Sequence, residues 1–243
     1  MPPKPRKPPP RRPDPRKRNL LIAGAGAALV VAILVVVSVV VAGGGDSGTT
    51  TTSGAASSAL FDGIPQNGTE LGAKNAPVTF IQFEDLQCPI CRSYQEDGFS
   101  DIVREYVRPG KVKLRFAGIA ILGQDSEKAL RYALAAANQG KLWEYVAAIY
   151  ANQGEENTGW VTDDVLERLA KDVGLDWTQL QKDAASAEVT RQAQATAAEA
   201  GQLGVPGTPT FFVKIGNGKP YAVQPTSFSI DSCRAIFADA LSQ

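Results

Sequence analysis

The stretch APVTFIQFEDLQCPICRSYQ, residues 76–95, decides how this 243-residue chain folds. Its first half, Ala76 to Asp85, is rich in β-branched and aromatic residues, and Val78, Phe80, Ile81 and Phe83 put apolar groups on both faces. That pattern fits a strand buried on both sides, as in the middle of an α/β sheet. The second half opens on Pro89, whose missing N–H and fixed φ suit the first turn of a helix. Ile90, Tyr94, Ile102, Val103, Tyr106 and Val107 then recur at helical spacing, with Gly98 as an expected kink and Pro109-Gly110 as the stop. A strand therefore runs straight into a helix, and Cys88-Pro89-Ile90-Cys91 sits at the junction.

Beyond this unit, Lys111 to Ile119 (KVKLRFAGI) reads as a second strand. The next 80 or so residues are helical in pattern. Ala129, Leu130, Ala133, Leu134 and Ala137 share one face, as do Leu142, Val146, Ile149 and Tyr150. In TDDVLERLAKDVG, Thr162 is placed as an N-cap, Val165, Leu166, Leu169 and Val173 form the apolar stripe, and Gly174 is the stop. The following segment starts with an Asp176-x-x-Gln179 capping-box pattern and runs to Gly201 as one expected helix. Strand character returns at TPTFFVKIGNGKPYAV, where Gly216-Asn217-Gly218 signals a hairpin. A last helix carries Ile230, Cys233, Ile236, Phe237, Ala240 and Leu241 on its apolar stripe.

The N-terminal region differs in kind. Residues 1–18 hold eight Lys or Arg against Asp14 alone, a net of +7, and eight prolines, so an extended solvated tail is expected. Asn19 to Ala42 contains no charged residue in 24 positions. As a helix it would span about 36 Å, enough to cross a hydrocarbon core of about 30 Å. The run exceeds the roughly 7 to 15 residues of a signal-peptide core, so an uncleaved anchor is expected rather than a leader cut after Val40-Val41-Ala42. The positive flank then keeps the tail in the cytoplasm and puts everything after Gly43 outside. Clustered cations also attract lipid headgroups or nucleic acid, but no aromatic residue interrupts the tail to stack on bases, and no nucleic-acid role is expected. Residues 43–70, opening GGGDSGTTTTSG, are assigned as a flexible linker. After residue 18 the chain carries 17 basic and 24 acidic residues, a net of −7, and the part beyond the linker is long enough for one domain with a sizeable core.

There is no histidine, which excludes Cys-His and Ser-His nucleophile pairs and His-containing zinc sites. One C-x-x-C plus a distant Cys233 falls short of a four-thiolate zinc site, so neither metal nor other cofactor is expected. At the start of a helix, Cys88 would meet unpaired backbone N–H groups and the positive end of the helix dipole, both of which favour a thiolate. Thiols so placed ionise at pKa values of about 3.5 to 7.5. Cys91, one turn on, can attack a mixed disulfide formed at Cys88. A purely structural bridge would close so short a loop that it constrains the unfolded chain little, so a redox-active pair is the reading adopted. Cys233, on an apolar stripe, is expected to be a buried free thiol, with intermolecular pairing or a regulatory bridge the other readings. GVPGTPTFF, residues 204–212, places Pro209 after Thr208 at the entrance to an apolar strand, a candidate cis bond, although from composition alone a plain loop proline at a strand start is the better reading.

FEDLQCPICRSYQ and GVPGTPTFFV, with a helical block between them that includes QGKLWEYVAAIY, resemble the DsbA-like thiol–disulfide oxidoreductases of the thioredoxin fold, in particular their membrane-anchored Gram-positive members. The resemblance implies an α/β thioredoxin-like fold over residues 71–243 with a helical subdomain inserted at about 120–203. It implies that Cys88 and Cys91 are the catalytic pair, and that Pro209 is a cis-proline facing them. It also implies that the backbone of Thr208 pairs with an extended client peptide. The residues that tune the dithiol would be Pro89, Ile90, Gln82 and Asp85. Ile90 stands where many members have histidine, which implies a higher Cys88 pKa and a less oxidising pair than in those members. Gln82 stands where some carry a proton-transferring acid. Asp85 or Glu84 could assume that role, the plainer reading for each being a surface carboxylate at a strand end.

The expectation is thus a single-pass, membrane-tethered thiol–disulfide oxidoreductase whose extracytoplasmic domain oxidises reduced or unfolded client proteins and is itself reoxidised by a membrane quinone-linked oxidase. A reductase or isomerase, or a client-binding module without redox turnover, are the other readings.

Overall fold

The computed structural model describes residues 59–243 of the chain. The basic tail, the expected span 19–42 and the first part of the linker lie outside the described residues; among the described residues no helix is long and apolar enough to cross a membrane. Along the chain the elements are β1 (Gln66–Asn67), β2 (Glu70–Leu71), β3 (Val78–Glu84), α1 (Pro89–Asp97), α2 (Phe99–Ile102), a π-helical turn (Val103–Val107) and β4 (Val112–Gly118). Then follow α3 (Gln124–Ala136), α4 (Leu142–Ala151), α5 (Asp163–Asp172), α6 (Trp177–Ala184) and α7 (Ala187–Leu203). The fold closes with β5 (Thr210–Ile215), β6 (Tyr221–Val223) and α8 (Ile230–Leu241).

The strands form one sheet in the order β1-β2-β4-β3-β5-β6. Only β3 and β4 run parallel, in the register Val78↔Val112 to Glu84↔Gly118; β5 lies antiparallel on the other side of β3, with Val78↔Ile215 and Phe83↔Thr210. All seven residues of β3 are buried, as its two-faced apolar pattern requires. Because side chains alternate along a strand, Val78 and Phe80 belong to the main core while Ile81 and Phe83 pack with Ala117, Phe212 and Ala200 of α7 on the opposite face. Main-core packing is strongly aromatic. Phe80 meets Phe237 of α8 edge-on at 5.1 Å between centroids, and Phe99 of α2 stacks on Trp143 of α4 at 5.8 Å, joining α2 to the helical insertion. Each such buried ring contributes about 1.5–3 kcal/mol.

Several expectations change. The linker assigned to 43–70 is too long at its C-terminal end: Phe61 and Ile64 are buried in the main core, and β1 and β2 extend the sheet beside β4. The expected single helix over 176–201 is two. Asp176 caps the first by accepting from the Gln179 N–H, and Ser186 caps the second by accepting from the Val189 N–H. The Gln179 side chain turns to Asp183 instead of back to the cap, so only half of the capping box forms. Gly201 lies inside α7, which stops at Gly204 in the left-handed region, where Val205 N–H closes on the Ala200 carbonyl. Gly98 does separate α1 from α2, but for steric reasons: a Cβ there would collide with the carbonyl oxygen of Phe228. Ile90 and Leu241, expected on apolar faces, are 52% and 37% exposed.

Candidate redox-active dithiol site

The C-terminal end of β3 delivers Cys88 to the N-cap of α1, with φ −70° and ψ 118°, and Pro89 occupies the first turn. In this backbone setting the Cys88 Sγ accepts a hydrogen bond from the Cys91 N–H at 3.4 Å. Both thiols are unbonded; Cys88 keeps 5% of its surface exposed and Cys91 none. Opposite Cys88 lies the loop before β5, where the Thr208–Pro209 peptide bond is cis and the Thr208 carbonyl lies 3.4 Å from Cys88 Sγ, accepting from the thiol when it is protonated. The structure therefore brings together Cys88, Cys91, Pro89, Thr208 and Pro209. The Ile90 side chain instead points into solvent, and only its backbone N–H serves Cys88.

The two sulfurs are electrostatically unlike. Cys88 is lowered to about 6, chiefly by the hydrogen bond from the Cys91 thiol and further by the Thr208 side chain and the N–H groups of Cys91 and Ile90, against the opposing effect of burial. Cys91 is raised, first by burial, then because its proton is held by Cys88 and because the charges of Glu84 and Cys88 lie close. One thiolate and one thiol is the favoured state of the reduced pair.

Glu84 and Asp85 are wholly buried, which corrects their reading as surface carboxylates. Asp85 is saturated: Oδ1 accepts from Gln87 N–H and Ser126 Oγ, and Oδ2 from the Ile121 and Leu122 N–H groups. It braces the loop that carries Cys88 and leaves no lone pair for proton traffic. Glu84 is different. Its Oε2 accepts from Tyr150 Oη at 2.8 Å and Gln95 Nε2 at 3.3 Å, while Oε1 is buried with no partner. Burial is the main cause that raises its pKa to about 8, and the neighbouring Cys88 charge adds to it. Gln82 lies on the same face of β3 two residues earlier and donates to Tyr94 Oη at 2.8 Å. Cys233 is a buried free thiol on α8, raised to about 11 by burial.

Gln95 and Ser126 are absent from the residues picked out in sequence, and Tyr150 is picked out there only as part of an apolar helical face. Each belongs to a helix whose own pattern reads as ordinary, and only the fold brings their polar atoms to the end of β3.

An α/β sheet whose central strand ends in a C-x-x-C at a helix N-cap, faced by a cis-proline, defines the thioredoxin class of thiol–disulfide proteins. Comparison with known proteins agrees. The thioredoxin family model matches residues 66–228. The probable disulfide bond formation protein D of Bacillus cereus is 31% identical over 147 residues, which cover 59% of this chain and 68% of that protein. The probable disulfide bond formation protein D of Bacillus anthracis is 30% identical over the same shares of the two chains. Among solved structures, a thioredoxin-like oxidoreductase from Silicibacter pomeroyi superposes with a TM-score of 0.55 at 29% identity, covering 76% of this chain and 94% of that one. Oxidised BdbD from Bacillus subtilis gives a TM-score of 0.63 at 23% identity, over 74% of this chain and 97% of that one, a likeness of fold. The chain belongs to the DsbA-like, thioredoxin-fold family and is a thiol–disulfide oxidoreductase.

Proposed function

We propose that the Cys88–Cys91 pair works outside the cytoplasm, on a domain tethered by the 19–42 span, as an oxidase of client protein dithiols. The observation that carries this reading is the asymmetry of the pair: Cys88 is held as a thiolate at the helix N-cap, and Cys91 is buried and protonated. An oxidase gains driving force from whatever stabilises its reduced form. The names of the Bacillus relatives, disulfide bond formation protein D, point the same way.

In the proposed cycle a client thiolate attacks Cys88 Sγ of the disulfide, forming a client–Cys88 bond while the Cys88–Cys91 bond breaks. Cys91 leaves as a thiolate and takes a proton, because its buried position disfavours charge. Glu84, whose charge is felt at Cys91 and whose Oε1 is unpartnered, is positioned to give that proton. The client's second thiolate then attacks the client sulfur of the mixed disulfide and expels Cys88. The client has lost two electrons and two protons, one of which stays on Cys91 and one of which reaches solvent or Glu84, and the two electrons reside in the reduced pair. A membrane quinone-linked oxidase is the proposed acceptor that restores the disulfide.

Thr208 is proposed to pair its backbone with an extended client segment beside Cys88, strand addition that gives affinity without demanding a client sequence. Ile90, in the first turn of α1, and Ile121, whose N–H binds Asp85, are 52% and 54% exposed and supply apolar surface suited to unfolded chains. The test is oxidation of a reduced dithiol peptide by the full-length protein beside its Cys88→Ser variant, with oxidised glutathione present to restore the disulfide: oxidation above the glutathione background that the variant loses supports the reading, and no oxidation above background by the wild type sinks it in favour of a reductase, an isomerase or a binding module.

A further inference from the structure

After α4 the chain does not return directly to the next helix. Asn152–Trp160 forms a strap across the loop that carries Cys88, and its bonds fall on three consecutive residues. Gln153 Nε2 donates to the Leu86 carbonyl at 2.9 Å and to the Cys88 carbonyl at 3.2 Å. Between them, the Gln87 side chain accepts from the Asn157 N–H at 2.8 Å and donates to the Leu122 carbonyl at 3.1 Å and to Ser126 Oγ at 2.9 Å. Leu86 and Gln87 are buried, so a partner lost by their polar groups is costly to replace.

The strap is itself held in one shape. Asn157 adopts φ 58°, a left-handed conformation uncommon outside glycine, and its N–H is the one bound by Gln87. Gly159 N–H is anchored on Asp125 at the start of α3. Gly123, also at positive φ, has no room for a Cβ because Asn157 Oδ1 sits 2.5 Å from where it would be.

We infer that Gln153, through the strap, is a positioning residue that sets the redox properties of Cys88 from the helical insertion. Cys88 stays a thiolate only while its φ and ψ aim Sγ at the Cys91 N–H, and its carbonyl is fixed jointly by Gln153 and by the Arg92 N–H at 3.1 Å. With the Gln153 amide removed, the peptide after Cys88 is freer to rotate and the Leu86 carbonyl loses its donor. The sulfur then spends less time against the N–H groups that favour its charge. The inference rests on the reading of Cys88 as the reactive thiolate.

Gln153→Met removes both donors without adding charge or much changing volume. Gln139→Met is the matched control, since Gln139 also bridges two backbone groups within the insertion, the Asp176 carbonyl and N–H, but away from the dithiol. Thiolate absorbance of the reduced full-length proteins is followed against pH, and the Cys88–Cys91 equilibrium is measured against glutathione, with a thermal melt of each. The expected result is a Cys88 midpoint raised in Gln153→Met and an equilibrium shifted roughly threefold to tenfold toward the disulfide, with Gln139→Met unchanged in both. A wild-type midpoint near 6 that Gln153→Met leaves in place, whatever its melt, overturns the inference alone. A wild-type midpoint near the ordinary thiol value of about 8.5 overturns the underlying reading of Cys88, and this inference with it.

Discussion

The Cys88 thiol lies 3.4 Å from the carbonyl oxygen of Thr208, a residue 120 positions further along the chain. That contact joins the two halves of the thioredoxin core across the whole helical insertion, and it places the reactive sulfur beside the backbone proposed to hold the client.

The two cysteines should fail in different ways. Cys88→Ser loses all exchange, whereas in Cys91→Ser the free Cys88 thiolate attacks a client that already carries a disulfide, expelling one client thiolate, and no Cys91 is present to displace the client from the resulting client–Cys88 bond, so disulfide-linked adducts persist on non-reducing gels. In the wild type, alkylation of Cys88 rises through pH 6 and levels off above about pH 7, following a thiol lowered to about 6. Equal adduct yield from both variants would contradict the assignment of Cys88 as the attacked sulfur.

Glu84 gives the fold a pH dependence of definite sign. Its carboxyl is raised from 4.5 to about 8, so the folded state binds this proton more tightly than the unfolded chain. Its contribution to stability is complete below pH 4.5 and is lost as pH rises through about 8, at up to about 1.4 kcal/mol per pH unit within that window. Urea midpoints of the oxidised protein, in which Cys88 carries no charge, should therefore fall between pH 5 and pH 8. Glu84→Gln should flatten that slope and be the more stable protein at pH 8. Parallel slopes in the two proteins would rule out a buried, proton-holding Glu84.

Two substitutions separate folding from chemistry. Gly98→Ala drives a methyl group into the Phe228 carbonyl and should cost about 1–3 kcal/mol. Ser186→Ala removes the cap of α7 and should cost about 1 kcal/mol. Denaturant titration checks both, and the Cys88 titration midpoint should stay unchanged in Ser186→Ala.

Ile90 offers the opposite experiment. Its side chain is exposed and supplies no charge to the thiolate. Ile90→His, titrated where the imidazole is protonated, places a cation next to Cys88 and should lower the thiol midpoint by roughly one unit, making the pair about tenfold more oxidising against glutathione. An unchanged equilibrium would show that the first-turn side chain does not reach the sulfur.

The succession of elements after residue 76 and the dithiol were readable because they rest on local signals: an apolar β3, Pro89 in a helix first turn, Gly216-Asn217-Gly218 at a hairpin. Two-residue strands such as β1 and β2 are too short to show any period, so they disappeared into the linker. The break between α6 and α7 carries no glycine or proline and is made by the Ser186 cap alone. Ile90 fits the helical spacing but lies on the outward side of the first turn. Hardest to see were Glu84 and Asp85. Charged residues at the end of a strand usually meet water, and the groups that accept their burial, Tyr150 for Glu84 and Ser126 for Asp85, lie 66 and 41 residues away.

The most direct test of the account is the reduction potential of the Cys88–Cys91 pair in the full-length protein, equilibrated against glutathione. Stabilisation of the Cys88 thiolate predicts a potential nearer to about −120 mV than to about −270 mV. A value at or below about −270 mV, the thioredoxin end of the scale, would contradict the proposal that this dithiol oxidises client proteins.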